Sequence, residues 1–182
     1  MQMEMLRVQL LLLSGLLAAA CVAHAQVAPL PPPAGTQGKT VRFDGSSTAT
    51  LVLQARGEGV QIYSCVKDAD WAWKLKAPEA TLFDESHHAI GKHCAGPTWR
   101  LDDGSEVQGK LLESRQQAGT IPWLILSARS TGSEGRLSQV DAVRRLETQG
   151  GLAPSTVCDA QHTGVEVRVP YSATYSFFDT RD

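Results

Sequence analysis

Apolar and polar residues alternate strictly between residues 165 and 177, and this pattern limits the possible folds most. A period of two puts one set of side chains on a core and the other in solvent only when the chain is a β-strand. Pro170 cannot donate a ladder hydrogen bond, so it marks an edge, a bulge or a break into two strands. The apolar set is Val165, Val167, Val169, Tyr171, Ala173, Tyr175 and Phe177.

Short β-type segments separated by turn residues fill most of the remaining chain. Residues 121–128 are almost continuously apolar, which predicts a central strand covered on both faces. Residues 137–146 fit either a helical face or an edge strand. The pattern predicts a mostly β, single-domain antiparallel sandwich or barrel with at most one short helix. The other predicted strands are 40–43, 49–55, 59–66, 71–75, 98–101 and 106–111.

The N-terminus has the order of a cleaved secretory signal peptide over residues 1–25. A lead carrying Arg7 precedes an apolar run over residues 8–20, and Ala23-His24-Ala25 offers small residues for cleavage. The run is too short to span a bilayer comfortably, since a membrane helix needs about 20 residues. We expect a periplasmic or secreted protein with no membrane span after cleavage; lipidation of Cys21 is the alternative. A proline-rich tether, residues 26–38, then leads to a β-rich domain, residues 39–182.

Charge and cysteine content limit the partners and the compartment. The chain has 17 Lys and Arg against 19 Asp and Glu, so no basic face for nucleic acid is implied. Cleavage would leave Cys65, Cys94 and Cys158, of which an oxidising compartment pairs two and leaves one. Three pairings are possible. Cys94 lies beside a histidine in a Gly-rich segment, unlike the strand-like contexts of the other two, which favours Cys65–Cys158.

Familiar catalytic motifs are missing. The chain has no G-x-S-x-G elbow, Walker loop, H-E-x-x-H or C-x-x-C motif, and no dinucleotide fingerprint. We therefore expect no cofactor, and the sequence leaves open whether the protein is an enzyme.

One dense polar segment, residues 84–105, holds the candidate site residues. His87, His88 and His93 are candidate ligands for Zn²⁺ or Cu²⁺, although their spacing is not a known ligand pattern and favours a solvated loop. His93, Trp99, Asp102 and Asp103 are candidates for lining a polar cleft, with Trp99 as a stacking surface for a sugar or small molecule. A place in the core is an equally good interpretation of Trp99.

Several segments together resemble a secreted bacterial and fungal family known as domain of unknown function 3455. They cover nearly the whole domain in order: 61–65, 77–84, 91–93, 96–99, 103–105, 121–124, 145, 148–151, 154, 158–159, 169–171 and 175. The resemblance implies an extracytoplasmic β-rich domain, supports the Cys65–Cys158 pair and favours a strand near residues 140–146. Two positions depart from the family, with Cys94 where an aromatic residue is usual and Glu147 where Asn is usual.

Two classes of function follow from these observations. The first is a non-catalytic module that binds a small molecule, glycan or envelope component. The alternative is a small secreted hydrolase or a metal-binding protein that uses the region of His93 and Asp103.

Overall fold

A computed structural model describes residues 39–42 and 48–181. Its regular secondary structure is β-strand throughout, apart from one 3₁₀ turn at Ala160–His162. No helix within it is long and apolar enough to cross a membrane. The strands are β1 Lys39–Arg42, β2 Thr48–Lys67, β3 Trp71–Phe83, β4 Ala89–Cys94, β5 Thr98–Leu101, β6 Glu106–Gln117, β7 Thr120–Ser130, β8 Ala142–Gly150 and β9 Glu166–Asp179.

Eight of these strands form one antiparallel sheet that closes on itself. Each strand from β2 to β9 pairs with the next along the chain, and β9 pairs back onto β2. Closure leaves one interior, and β1 adds to β2 outside the ring. The predicted fold class is confirmed, in its closed, barrel form. The predicted signal peptide, residues 1–25, and the predicted tether, residues 26–38, lie outside the described residues.

The alternating pattern fills the ring only in the second half of β9; Val165 lies before the strand and is exposed, and Thr174 and Ser176 on the other face are buried as well. Tyr171, Ala173, Tyr175 and Phe177 are all buried. Pro170 lies one residue beyond the last β8–β9 pair, Gly150 with Tyr171, so it occupies the edge position that proline tolerates.

Strand β2 is one continuous strand, so its predicted division into 49–55 and 59–66 is wrong. The intervening glycines pair with both β3 and β9. Gly57 is needed for packing, because a Cβ there would lie 2.5 Å from a ring carbon of Tyr175. The glycines reflect close packing inside a strand rather than a turn.

Three further expectations need correction or refinement. Strand β4 occupies residues that favoured a solvated loop, and it pairs with both β3 and β5. Strand β7 is not covered on both faces, since only Ile121 and Leu126 along it are buried. The ambiguous segment turns before Ala142 and then forms β8, as the family resemblance favoured.

The strands are paired all the way round one end of the ring, but at the other end strand pairing is missing between β3 and β6. Strand β4 pairs with β3 only along 80–83, and β5 pairs with β6 only along 106–108. In the described chain, residues 71–79 of β3 and 110–117 of β6 therefore have no paired strand on these edges. Both stretches point to the same end of the ring, separated by three strand spacings of about 4.8 Å each. We call this end the open half.

A loop spanning residues 151–164 crosses the open half and is fastened there. Cys158 forms a disulfide with Cys65 on β2, as predicted. The Trp73 indole Nε1 donates to the Thr156 carbonyl over 2.9 Å, which fixes the loop to β3 as well. Cys94 is also disulfide-bonded, so the expectation of a leftover thiol is wrong. That expectation was made for the chain after cleavage of residues 1–25, which keeps three cysteines.

Candidate functional site

His93 and Trp99 lie in the interior of the ring rather than on a surface cleft. They face each other across β4 and β5, with ring centroids 4.6 Å apart and planes 6° from parallel. Trp99 is 1 % and His93 2 % exposed, so the core interpretation of Trp99 is the one that the structure adopts. The His93 Nδ1 donates to the Thr98 carbonyl over 2.9 Å, and this bond fixes the ring.

Asp102 and Asp103 do not join this pair. They lie in the turn after β5, where Asp102 is exposed. The Asp103 carboxylate accepts hydrogen bonds from the Ser105 hydroxyl and from the backbone amides of Ser105 and Arg136. These bonds lower the pKa of Asp103 against the opposing effect of partial burial. The carboxylate therefore shapes the turn and holds the segment around Arg136.

The three candidate metal ligands are also separated. His87 stacks on Phe83 at 4.7 Å, and the His88 Nδ1 lies 3.6 Å from Asp84 Oδ2 on the surface. His93 is in the interior. Within the described ranges, no group of three or more His, Cys, Asp or Glu side chains could hold a metal ion.

The structure instead assembles polar side chains inside the ring, which we call the interior polar cluster: Gln61, Tyr63, Arg145, Tyr171 and Tyr175. The Tyr171 and Tyr175 hydroxyls are 3.2 Å apart on one face of β9. Arg145 pairs with Tyr175 across β8 and β9, and its positive charge partly offsets the rise that burial causes in the pKa of Tyr175. The ring of Tyr175 also packs against His93 at a centroid distance of 5.0 Å, which joins the cluster to the His93–Trp99 stack.

Gln61 and Tyr63 extend the cluster along β2 towards the open half. The Tyr63 hydroxyl donates to the Gly151 carbonyl over 2.6 Å, at the start of the crossing loop. Gly151 has a φ of 76° and sits against Gln61 and Tyr171, since a Cβ there would lie 3.2 Å and 2.8 Å from their side chains. Gln61 is 1 % exposed, and its Oε1 has no hydrogen-bond partner. The buried Trp99 Nε1 also lacks one.

Burial keeps the titratable groups of this interior neutral at physiological pH. Desolvation lowers the pKa of His93 to about 4, with a smaller lowering from the charge of Arg145 and a rise from the Thr98 bond. Desolvation likewise raises the pKa of Tyr63, Tyr171 and Tyr175, and Arg145 partly offsets it. The interior therefore offers neutral hydrogen-bonding groups and one guanidinium.

Charge and motif searches missed this cluster because its members are far apart in sequence. A polar residue at an inward position is not visible until the strand register is known, as for Arg145 beside the inward Val143. One signal was present. Gln61, Arg145, Gly151 and Tyr171 all fall within the segments that carry the family resemblance.

The fold and the cluster define a class of protein: a small closed antiparallel β domain with a polar interior and a disulfide-fastened loop across its open half. The family described as "Protein of unknown function (DUF3455)" matches residues 46–179, and the chain belongs to this family. No curated protein and no solved structure matches the chain.

Proposed function

We propose that this protein is an exported, non-catalytic module that binds a small molecule at the interior polar cluster, through the open half of the ring. The observation that carries the proposal is the Gln61 side chain, almost fully buried with an unpartnered Oε1. A buried polar group without a partner costs about 1–3 kcal/mol. A ligand that donates a hydrogen bond to it would offset that cost in the bound state.

The open half supplies the route to this group. Among the described residues, 71–79 and 110–117 have no paired strand on their facing edges, so the hydrogen-bonded sheet is interrupted there. Gln61 lies on β2 between Val60, which pairs with Glu79, and Ile62, which pairs with Ala77, so it belongs to the same end of the ring. Binding sites in closed β-sheets commonly lie inside the ring near such an opening.

Binding is favoured over catalysis by the state of the candidate acids and bases. A general acid or base works best with a pKa near the working pH, whereas His93 has a pKa of about 4 and the interior tyrosines are shifted upwards. Both oxygens of the Asp103 carboxylate already accept hydrogen bonds, from the Ser105 hydroxyl and from the Arg136 amide. Export is supported by residues 1–25 of the sequence and by the Cys65–Cys158 disulfide, which is typical of oxidising compartments.

The test is a Gln61→Leu variant, which keeps side-chain volume and removes the amide. We expect its free energy of unfolding to rise by about 1 kcal/mol in urea titrations, because an unsatisfied buried acceptor is lost. Ligand-detected NMR with indole-3-acetate, phenylacetamide and methyl glucoside, each of which carries an N–H or O–H donor, should show at least one bound probe, with binding weakened tenfold or more in the variant.

Gln149→Leu is the matched control, because Gln149 lies on β8 but is exposed. It should bind the probe as the unmodified protein does. Equal binding by Gln61→Leu and Gln149→Leu would contradict a site at Gln61. A loss of stability in Gln61→Leu would assign the amide a structural role instead.

A further inference from the structure

Arg145 carries a positive charge that no carboxylate of the described chain balances. None of the nine ion pairs in that part of the chain includes it. Its Nε and Nη2 donate to the Pro122 carbonyl at 3.1 and 2.8 Å, and it lies beside the Tyr175 side chain, whose pKa its charge lowers against the larger, raising effect of burial. These partners are neutral, whereas the strongest partners of a guanidinium are anionic oxygens that accept two parallel hydrogen bonds.

The charge of Arg145 is directed into the ring. It acts electrostatically on His93, Tyr63, Tyr171 and Tyr175, which lie on three different strands. No carboxylate contributes to the pKa of any of these four groups. The interior therefore has a positive electrostatic potential, which favours an anionic ligand.

Apolar side chains accompany this charge at the open half. Leu75 on β3 pairs with the buried Tyr63, and Leu111 on β6 pairs with the buried Leu126, so register places both leucines on the interior face. They are nevertheless 53 % and 54 % exposed. Inward-facing leucines that reach solvent on the two unpaired edges are an apolar rim around the opening, of the kind that marks ligand sites.

We infer that the ligand is a small organic carboxylate whose apolar body carries an N–H or O–H group, with its carboxylate on Arg145, that group on Gln61 and its body against the rim and the interior aromatic rings. The inference rests on the proposed function, since it names the ligand class of the same site. A single guanidinium matches one negative charge, whereas a phosphate dianion would call for further cations, and Arg145 is the one cation acting on the cluster's titratable groups.

The experiment compares matched pairs of charged and neutral probes: 4-hydroxyphenylacetate with 4-hydroxyphenylacetamide, and indole-3-acetate with indole-3-acetamide. Each pair has the same body and nearly the same shape. Affinities are measured by isothermal titration on the unmodified protein, Arg145→Gln and Arg129→Gln. Arg129 is the matched control because it is an exposed arginine on β7, outside the cluster.

We expect a carboxylate to bind the unmodified protein and Arg129→Gln at least tenfold more tightly than its amide. Arg145→Gln should weaken the carboxylate tenfold or more and leave the amide unchanged, so that the preference disappears. Equal binding of carboxylate and amide, with weakening by Gln61→Leu, would overturn the inference and leave the proposed function standing. If neither member of either pair binds, the assigned ligand class is wrong.

Melting curves of the variants keep the test interpretable, because Arg145 also anchors β8 to Pro122. If Arg145→Gln fails to fold, Arg145→Lys keeps the charge and loses the two-pronged geometry. We then expect the carboxylate to bind more weakly and the carboxylate–amide preference to shrink. If Arg145→Lys bound the carboxylate over the amide with an unchanged preference, the two parallel hydrogen bonds of the guanidinium would have no role in binding.

Discussion

His93 illustrates how burial changes the role of a residue that looks reactive in sequence. Next to Cys94 and among acidic residues, it is a natural candidate for catalysis or metal binding. In the fold its ring is stacked on Trp99, tilted against Tyr175 and hydrogen-bonded to Thr98. It functions there as a flat, neutral core side chain with one fixed hydrogen bond.

The lowered pKa of His93 predicts a pH dependence of stability. The unfolded chain takes up a proton at this imidazole near pH 6.5, but the folded protein does so only near pH 4. Stability is therefore complete above pH 6.5 and is lost as the pH falls towards 4, by about 3 kcal/mol for this group. Urea unfolding across this range should show the loss, and His93→Gln should remove this part of it.

His88→Gln is the control, because the His88 side chain is 69 % exposed. The protein's carboxylates add their own pH dependence, and the comparison of variants subtracts it. A His93→Gln variant with the same acid sensitivity as His88→Gln would contradict a neutral, buried His93.

At the scale of single elements, β4 shows what a pattern analysis misses. The inward positions of this strand are Gly91 and His93, neither of which gives an apolar signal. Gly91 is required because a Cβ there would lie 2.3 Å from the Arg100 carbonyl oxygen on β5. The strand is thus specified by close packing and by pairing on both sides, which are long-range properties.

Glu147 on β8 connects a departure from the family to the backbone. It has a φ of 49°, in the left-handed region that glycine and Asn adopt most readily. Asn is the residue that the family favours there. Glu147 compensates by accepting a hydrogen bond from the Thr174 hydroxyl on β9 over 2.7 Å.

The crossing loop depends on the Cys65–Cys158 disulfide. The two cysteines are 93 residues apart, and closing so long a loop in the unfolded chain stabilises the fold by about 4–5 kcal/mol in the chain-entropy model. The double variant Cys65→Ser, Cys158→Ser should lose that amount in urea titrations. Limited proteolysis should then cut first within 151–164, because hydrogen bonds alone would hold that segment near the open half: those of Trp73 and Tyr63, and those of the Gly151 and Gly164 amides near its two ends.

Peptide mapping without reduction provides the control for this experiment. It should recover the peptides of Cys65 and Cys158 joined to each other. A linkage of either cysteine to Cys94, or a double variant with unchanged stability, would contradict the assignment.

For the whole molecule, the sequence predicted the fold class better than the site. Alternation in β9 and the frequent turns indicate an antiparallel β domain, because these signals are local. Closure of the ring depends on the pairing of β2 with β9, more than 100 residues apart, and the cluster of Gln61, Arg145 and Tyr171 exists only after closure. A site assembled from three distant strands has no spacing for a motif search to find.

The proposed export concerns the whole chain, because disulfides persist in oxidising compartments. The apolar run and Ala23-His24-Ala25 predict cleavage after Ala25, because signal peptidase requires small residues at the two positions that these alanines occupy. When the full chain is expressed in a bacterium and recovered from the envelope or medium, N-terminal sequencing should begin at Gln26. Ala25→Lys should prevent cleavage and leave the precursor at its full mass. A mature protein beginning at Cys21 with a diacylglycerol group would replace this interpretation with that of a lipoprotein, and recovery of the uncleaved chain from the cytoplasm would contradict export.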